Sequence, residues 1–133
     1  MECLYCSAPT AVTNSRPSKK TPGVWRRRKC TGCGAIFTTK EQPDFDKSLV
    51  IKRGAKLVAF SRDSLFSSIY QACGHRQNAS EAASALTATV LDHLVASSNH
   101  GVLTRRQVVQ TTSAVLKRFD KAAAVQYAAY HPL

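Results

Sequence analysis

Acidic side chains are scarce in this chain: 8 Asp and Glu stand against 19 Lys and Arg in 133 residues, a formal net charge of +11. The shortage is sharpest in residues 1–40. There Glu2 is the one acid beside eight basic residues, Arg16, Lys19, Lys20, Arg26, Arg27, Arg28, Lys29 and Lys40. Clustered positive charge on a small module is the electrostatic footprint of phosphate-backbone binding, although a solvated basic face produces the same count. Long apolar runs are missing too. No segment approaches the roughly 18 continuous apolar residues of a membrane span, and Met1-Glu2-Cys3 leads into no apolar stretch. Neither a membrane partner nor a signal peptide is expected, and a cytoplasmic location is. Catalytic sets are absent as well: no Ser-His-Asp constellation, paired carboxylates or Walker-type glycine loop stands out, so no enzyme is expected. His75, His93, His100 and His131 show no ligand spacing to one another or to the cysteines, and they read as surface or helix-end residues.

What the chain does have is concentrated near its start. Of five cysteines, four fall as Cys3-x2-Cys6 and Cys30-x2-Cys33, two knuckles separated by 23 residues. That is the ligand spacing of one tetrahedral zinc ion, each pair giving two thiolates from a tight turn. Gly32 and Gly34 flank Cys33, and Ser7 follows Cys6, small residues that let backbone amides turn toward sulfur. Two disulfides are the alternative for four cysteines, but nothing else in the chain looks secreted. A four-thiolate iron site or a C-x2-C thiol oxidoreductase is the enzymatic alternative. A ribbon of about 45 residues buries too little apolar surface to stand alone, so the metal supplies its folding energy. Phe37 reads first as the ribbon's minimal core. Trp25 stands between two roles, core aromatic and nucleic-acid contact, because it opens the run Trp25-Arg26-Arg27-Arg28-Lys29.

Glu41-Gln42-Pro43-Asp44-Phe45-Asp46 interrupts this pattern with a proline and three acids. The domain boundary is placed here: residues 1–46 form the ribbon and 47–133 a second domain. In the latter, Ser48 to Arg53 and Lys56 to Phe60 read as the two strands of a hairpin around Gly54-Ala55. Ser61 is the expected N-cap of a first helix carrying Leu65, Phe66, Ile69, Tyr70 and Cys73, which ends at Gly74. A second helix begins near Asn78 or Ser80, with Leu86, Val90, Leu91, Leu94 and Val95 as its buried stripe. Thr104-x-x-Gln107 is a capping box for a third, whose apolar face runs from Val108 to Phe119. Asp120 caps a last, alanine-rich helix through Val125, Tyr127 and Tyr130. Cys73, on a buried stripe, reads as a small core residue. The fold class is α+β: a small four-cysteine zinc ribbon followed by a β-hairpin packed on about four helices.

Several of these stretches resemble the NrdR family of bacterial regulators of ribonucleotide reductase genes, which join a zinc ribbon to an ATP-cone. Asn14-Ser15-Arg16-Pro17 resembles the family's D-S-R-P element. The stretch from Arg26 to Glu41 resembles R-R-R-x-C-x-x-C-G-x-R-F-T-T-x-E, and Val50-Ile51-Lys52-Arg53 resembles the cone's opening V-x-K-R. Leu116 to Ala128 resembles the closing L-x-x-L-D-x-x-A-x-V-R-F-A. The resemblance implies a repressor that binds double-stranded operator DNA through its ribbon and senses ATP or dATP in its cone, the nucleotide setting which homo-oligomer forms. It implies zinc at Cys3, Cys6, Cys30 and Cys33. It places DNA at Arg16, Trp25, Arg26, Arg27, Arg28 and Lys29, and nucleotide at Val50, Ile51, Lys52, Arg53 and Gly54. Departures from the pattern include Ile36 for an arginine and Ser64 for a lysine. The alternative is a constitutive zinc-ribbon nucleic-acid-binding protein whose degenerate cone only oligomerises.

Overall fold

Runs of valine, threonine and arginine near the start form a three-stranded antiparallel sheet, β1 (Thr10–Pro17), β2 (Val24–Cys30) and β3 (Ile36–Glu41), ordered β1-β2-β3. The computed structural model describes residues 1–19 and 21–133. Lys20, counted among the cations above, lies outside the described residues. One extra residue, Thr13, sits in β1 between Val12 and Asn14 as a bulge, and its hydroxyl donates to the Arg27 carbonyl at 3.2 Å. The buried residues of this sheet are few: Cys3, Cys30 and Phe37, with Ala8 and Ala35 against them. Phe37 is therefore core, and Trp25 is not part of that cluster. So small a core leaves the four sulfurs as the sheet's main organising group.

The chain divides into two units, Met1–Pro43 and Asp44–Leu133. Asp44 to Asp46, read from sequence as part of the connecting segment, belong to the second. Asp44 is the N-cap of a one-turn helix, α1 (Phe45–Ser48), where its carboxylate accepts from the Lys47 amide at 3.3 Å. Ser48 lies in that turn, so the hairpin is shorter than expected, β4 (Val50–Arg53) and β5 (Lys56–Ala59). Gly54 closes it with φ of +60°, a conformation that suits a residue without a Cβ.

Four longer helices follow, α2 (Arg62–Ala72), α3 (Ala79–Ser97), α4 (Arg105–Phe119) and α5 (Lys121–Tyr130). Their starts are set locally. Ser61 accepts from the Ser64 amide, Thr104 and Gln107 close a reciprocal capping box, and Asp120 accepts from the amides of Ala122 and Ala123. A third strand, β6 (Val102–Thr104), pairs parallel with β4, giving the order β5-β4-β6. The core joins Leu49, Phe60, Ile69, Leu94, Leu103, Leu116 and Tyr127 with a row of buried alanines. Tyr70 on α2, Val95 on α3 and Phe119 on α4 are exposed, where apolar stripes were expected, and Val125 and Tyr130 on α5 are exposed as well. Besides the larger apolar residues, α3 and α5 bury Ala79, Ala82, Ala83, Thr87 and Ala123, small residues that let helices approach closely. No helix among the described residues is long and apolar enough to cross a membrane.

Candidate metal centre, nucleic-acid face and nucleotide cleft

The sulfurs of Cys3, Cys6, Cys30 and Cys33 all lie within 4.8 Å of one another. Cys3 and Cys33 are 3.7 Å apart and Cys6 and Cys30 3.4 Å. A tetrahedral zinc with Zn–S bonds of about 2.3 Å requires sulfur–sulfur edges of about 3.8 Å, so the donor set fits that ion. The two knuckles turn alike: the residue after each second cysteine, Ser7 and Gly34, has positive φ, 63° and 74°. Backbone amides then point at sulfur, from Tyr5 to Cys3 at 3.4 Å and from Gly32 and Cys33 to Cys30 at 3.2 and 3.3 Å. A Cβ on Gly32 would stand 2.9 Å from that of Ala8, so close packing also holds this knuckle.

The thiols themselves report the crowding. Burial raises the Cys30 thiol, but the amides of Cys33 and Gly32 and the neighbouring Cys6 and Cys3 outweigh it and bring it down to about 6. The Ala35 amide lowers Cys33, yet Cys6, burial, Cys30 and Cys3 together push it up to about 11. Four sulfurs so close cannot all be anionic on their own, and a divalent cation between them removes the conflict.

Strand alternation divides the basic run between the two faces of the sheet. Directly opposed residues in an antiparallel pair share a face. Arg16, Trp25 and Lys40 form one row across the three strands, and Asn14, Arg27 and Thr38 another, with Lys29 beside Ile36 beyond them. Arg27, Lys29, Arg16 and Lys40 are all exposed. Arg26 and Arg28 face the other way and are engaged within the sheet. Arg26 pairs with Glu41 at 3.4 Å; Arg28 donates to Thr39 at 3.2 Å and to Thr10 at 3.5 Å, in register with buried Phe37.

In the second unit, alternation along β4 turns Ile51 and Arg53 into a cleft of about 290 Å³. Ser61, Ser64 and Ser68 of α2, Arg105 of α4 and Tyr127 and His131 at the end of the chain line it with them. No Asp or Glu lines it among the described residues. Arg105 donates to the Pro132 carbonyl at 3.2 Å, and His131 stacks on Tyr127 with ring centres 4.2 Å apart. Arg105 and Arg106 occupy the first turn of α4, where the helix dipole disfavours cations. A larger cleft, about 550 Å³, lies between α3 and α4 with His93 and Arg118 on its walls, and no residue of β4 reaches it.

Comparison with known proteins places this geometry. The family model described as "Transcriptional repressor NrdR-like, N-terminal domain" matches residues 1–41. The transcriptional repressor NrdR of Methylorubrum extorquens is 34% identical over 132 residues, covering 98% of this chain and 71% of that protein. Those of Thermus thermophilus and Dechloromonas aromatica are 30% and 31% identical over the same share of this chain, covering 84% and 85% of theirs. The chain belongs to the NrdR family of transcriptional repressors.

Membership in the NrdR family makes the four-sulfur centre a zinc site and the chain a repressor rather than an enzyme. The structure brings together all four cysteines. Of the six residues expected at DNA, it gathers Arg16, Trp25, Arg27 and Lys29 on one face and puts Arg26 and Arg28 on the other. Lys40 joins the first group and was not singled out, because only the register of β2 with β3 sets it beside Trp25. Of the five expected at nucleotide, Ile51 and Arg53 line the cleft. Val50, Lys52 and Gly54 do not. Arg105 was missed, although two arginines opening a helix are the kind of local conflict that marks a functional position.

Proposed function

We propose that this repressor binds duplex operator DNA of ribonucleotide reductase genes through the Arg16–Trp25–Lys40 face of its ribbon. We propose further that it senses ATP or dATP in the cleft beneath β4, the ATP-cone. The zinc centre's part is structural: it holds both knuckles, and thereby the register of β2 that presents Arg27 and Lys29. Exposed cations without acidic partners gain affinity by releasing counterions from DNA phosphates. The observation that carries the nucleotide reading is the pairing of Arg53 with Arg105 across a cleft without carboxylates, beside three serine hydroxyls. Two guanidiniums offer charge-assisted, forked donors to phosphate oxygens, and the hydroxyls add neutral ones. The cleft's volume lies near the lower end of the range for small-molecule sites, about 300 Å³.

Calorimetric titration of the full-length, zinc-loaded protein with ATP and with dATP is the test. Saturable heat is expected, together with nucleotide-dependent binding to DNA upstream of ribonucleotide reductase genes. The absence of heat with both nucleotides, with DNA binding intact, would favour a second reading, a constitutive DNA-binding protein whose cone only oligomerises. Two observations support that reading: Lys52 lies off the cleft, and Ser64 stands where the family carries a lysine.

A further inference from the structure

Trp25 is the one tryptophan of the chain, and the core of its own sheet does not use it. Cys3, Cys30 and Phe37 fill that core, and Phe37 lies on the opposite face, in register with Arg28. Trp25 is instead half-buried at the centre of the outer row, with Arg16 directly across on β1 and Lys40 directly across on β3. The next row adds Arg27. A large flat ring, framed by cations on both sides and outside the buried cluster of its own sheet, stands where it can meet a nucleic acid together with those cations.

We propose that Trp25 is a base-stacking wedge: its indole packs on a base at a partly unstacked step of duplex DNA, while Arg16 and Lys40 hold the phosphates to either side. The proposal rests on the DNA reading above and adds a source of specificity to it. Phosphate contacts carry no sequence information, whereas a wedge favours steps that open easily. Pyrimidine–purine steps such as TA unstack most readily, and A-tracts resist. The chain therefore discriminates between duplexes that present identical phosphates, through deformability rather than through hydrogen bonds to base edges.

Because Trp25 is the sole tryptophan, its emission reports on this contact alone. The full-length, zinc-loaded protein is titrated with two end-labelled duplexes of about two helical turns, one with central TA steps and one with a central A-tract. Label anisotropy and tryptophan emission are followed together. Emission should be quenched in step with the anisotropy change, and the TA duplex should bind at least about fivefold more tightly. Trp25→Ala should lose that preference and at least about fivefold in affinity with an unchanged salt slope, while Trp25→Phe keeps most of both. Saturating anisotropy with unchanged emission overturns the proposal while leaving DNA binding intact, as does a zinc-replete Trp25→Ala protein that keeps its preference. If Trp25→Ala fails to hold zinc, the emission of the unaltered protein and the Trp25→Phe variant decide. No anisotropy change with either duplex removes the DNA reading, and the wedge with it.

Discussion

Arg26, Arg27 and Arg28 are neighbours with one side-chain chemistry, yet β2 gives them different tasks. A strand sends successive side chains to opposite faces, so Arg27 points outward between Trp25 and Lys29 while its neighbours return to the sheet. Arg27→Ala should therefore shallow the dependence of log affinity on log salt by about one unit. Arg26→Ala, which loses a half-exposed ion pair with Glu41, should leave the slope nearly unchanged. Equal slopes for the two variants would remove the division between faces. The cysteines are a harder constraint. Cys30 is buried and receives two amide hydrogen bonds besides facing three other sulfurs, so no other side chain substitutes for it. Cys30→Ser should abolish stoichiometric zinc and unfold the ribbon, since binding a structural zinc contributes on the order of 10 kcal/mol in such small modules. Full zinc by elemental analysis in that variant would show that the four sulfurs do not act as one site.

Helix starts show how far local chemistry reaches. Ser61, the Thr104–Gln107 box and Asp120 were legible because each cap depends only on residues a turn away. Removing the box with Thr104→Ala should cost about 1 kcal/mol, read as a lower melting temperature. Strand β6 was not legible: three residues carry no period, and it exists because β4, far away in sequence, accepts it in parallel. The exposure of Val125 and Tyr130 was hidden for a related reason, since an alanine-rich helix fits its neighbours on more than one face and tertiary packing chose Ala123 and Tyr127. In the cleft, Arg53 was reached only through the resemblance of its strand to the family's, since on its own it reads as an exposed strand end, and Arg105 joins it only through the fold. Asp120 does more than cap α5. Its carboxylate takes His75 at 2.7 Å and Arg76 at 3.0 Å, and Arg76 also lies 4.6 Å over the Phe119 ring, tying the segment after α2 to the start of α5. The hydrogen bonds from His75 and then Arg76 hold the Asp120 carboxyl well below the usual carboxylate range. A depressed carboxyl stabilises the fold above its unfolded value, about 3.9, and stops doing so as pH falls through the folded one. Asp120→Asn should thus melt below the unaltered protein at neutral pH, and the gap should narrow steadily below about pH 4. A gap independent of pH would mean that the cap alone, without the charge, accounts for Asp120.

A repressor that responds to nucleotide needs two states of the whole molecule that the ligand tells apart. A ligand shifts an equilibrium only by the difference in its affinity for the two states, however tightly it binds. In this chain the cleft is bounded by elements from both ends of the second unit: β4 and α2 on one side, and α4 with the Tyr127–His131 end of α5 on the other. Phosphate held between Arg53 and Arg105 would compete with the Pro132 carbonyl for Arg105, so occupancy is coupled to the position of the last helix. Under the proposed function, that coupling is the route by which nucleotide would change how copies of the chain assemble. Light scattering of the zinc-loaded protein without nucleotide, with ATP and with dATP should accordingly give at least two distinct particle masses. Arg53→Ala combined with Arg105→Ala removes both cations of the cleft, should weaken nucleotide binding at least about tenfold, and should collapse the masses to the nucleotide-free value with zinc content unchanged. Lys52→Ala, altering a side chain that does not line the cleft, should leave them as they are. One mass under all three conditions in the unaltered protein would leave the repressor constitutive, and loss of response in Lys52→Ala but not in the double variant would place the phosphates on the other face of β4.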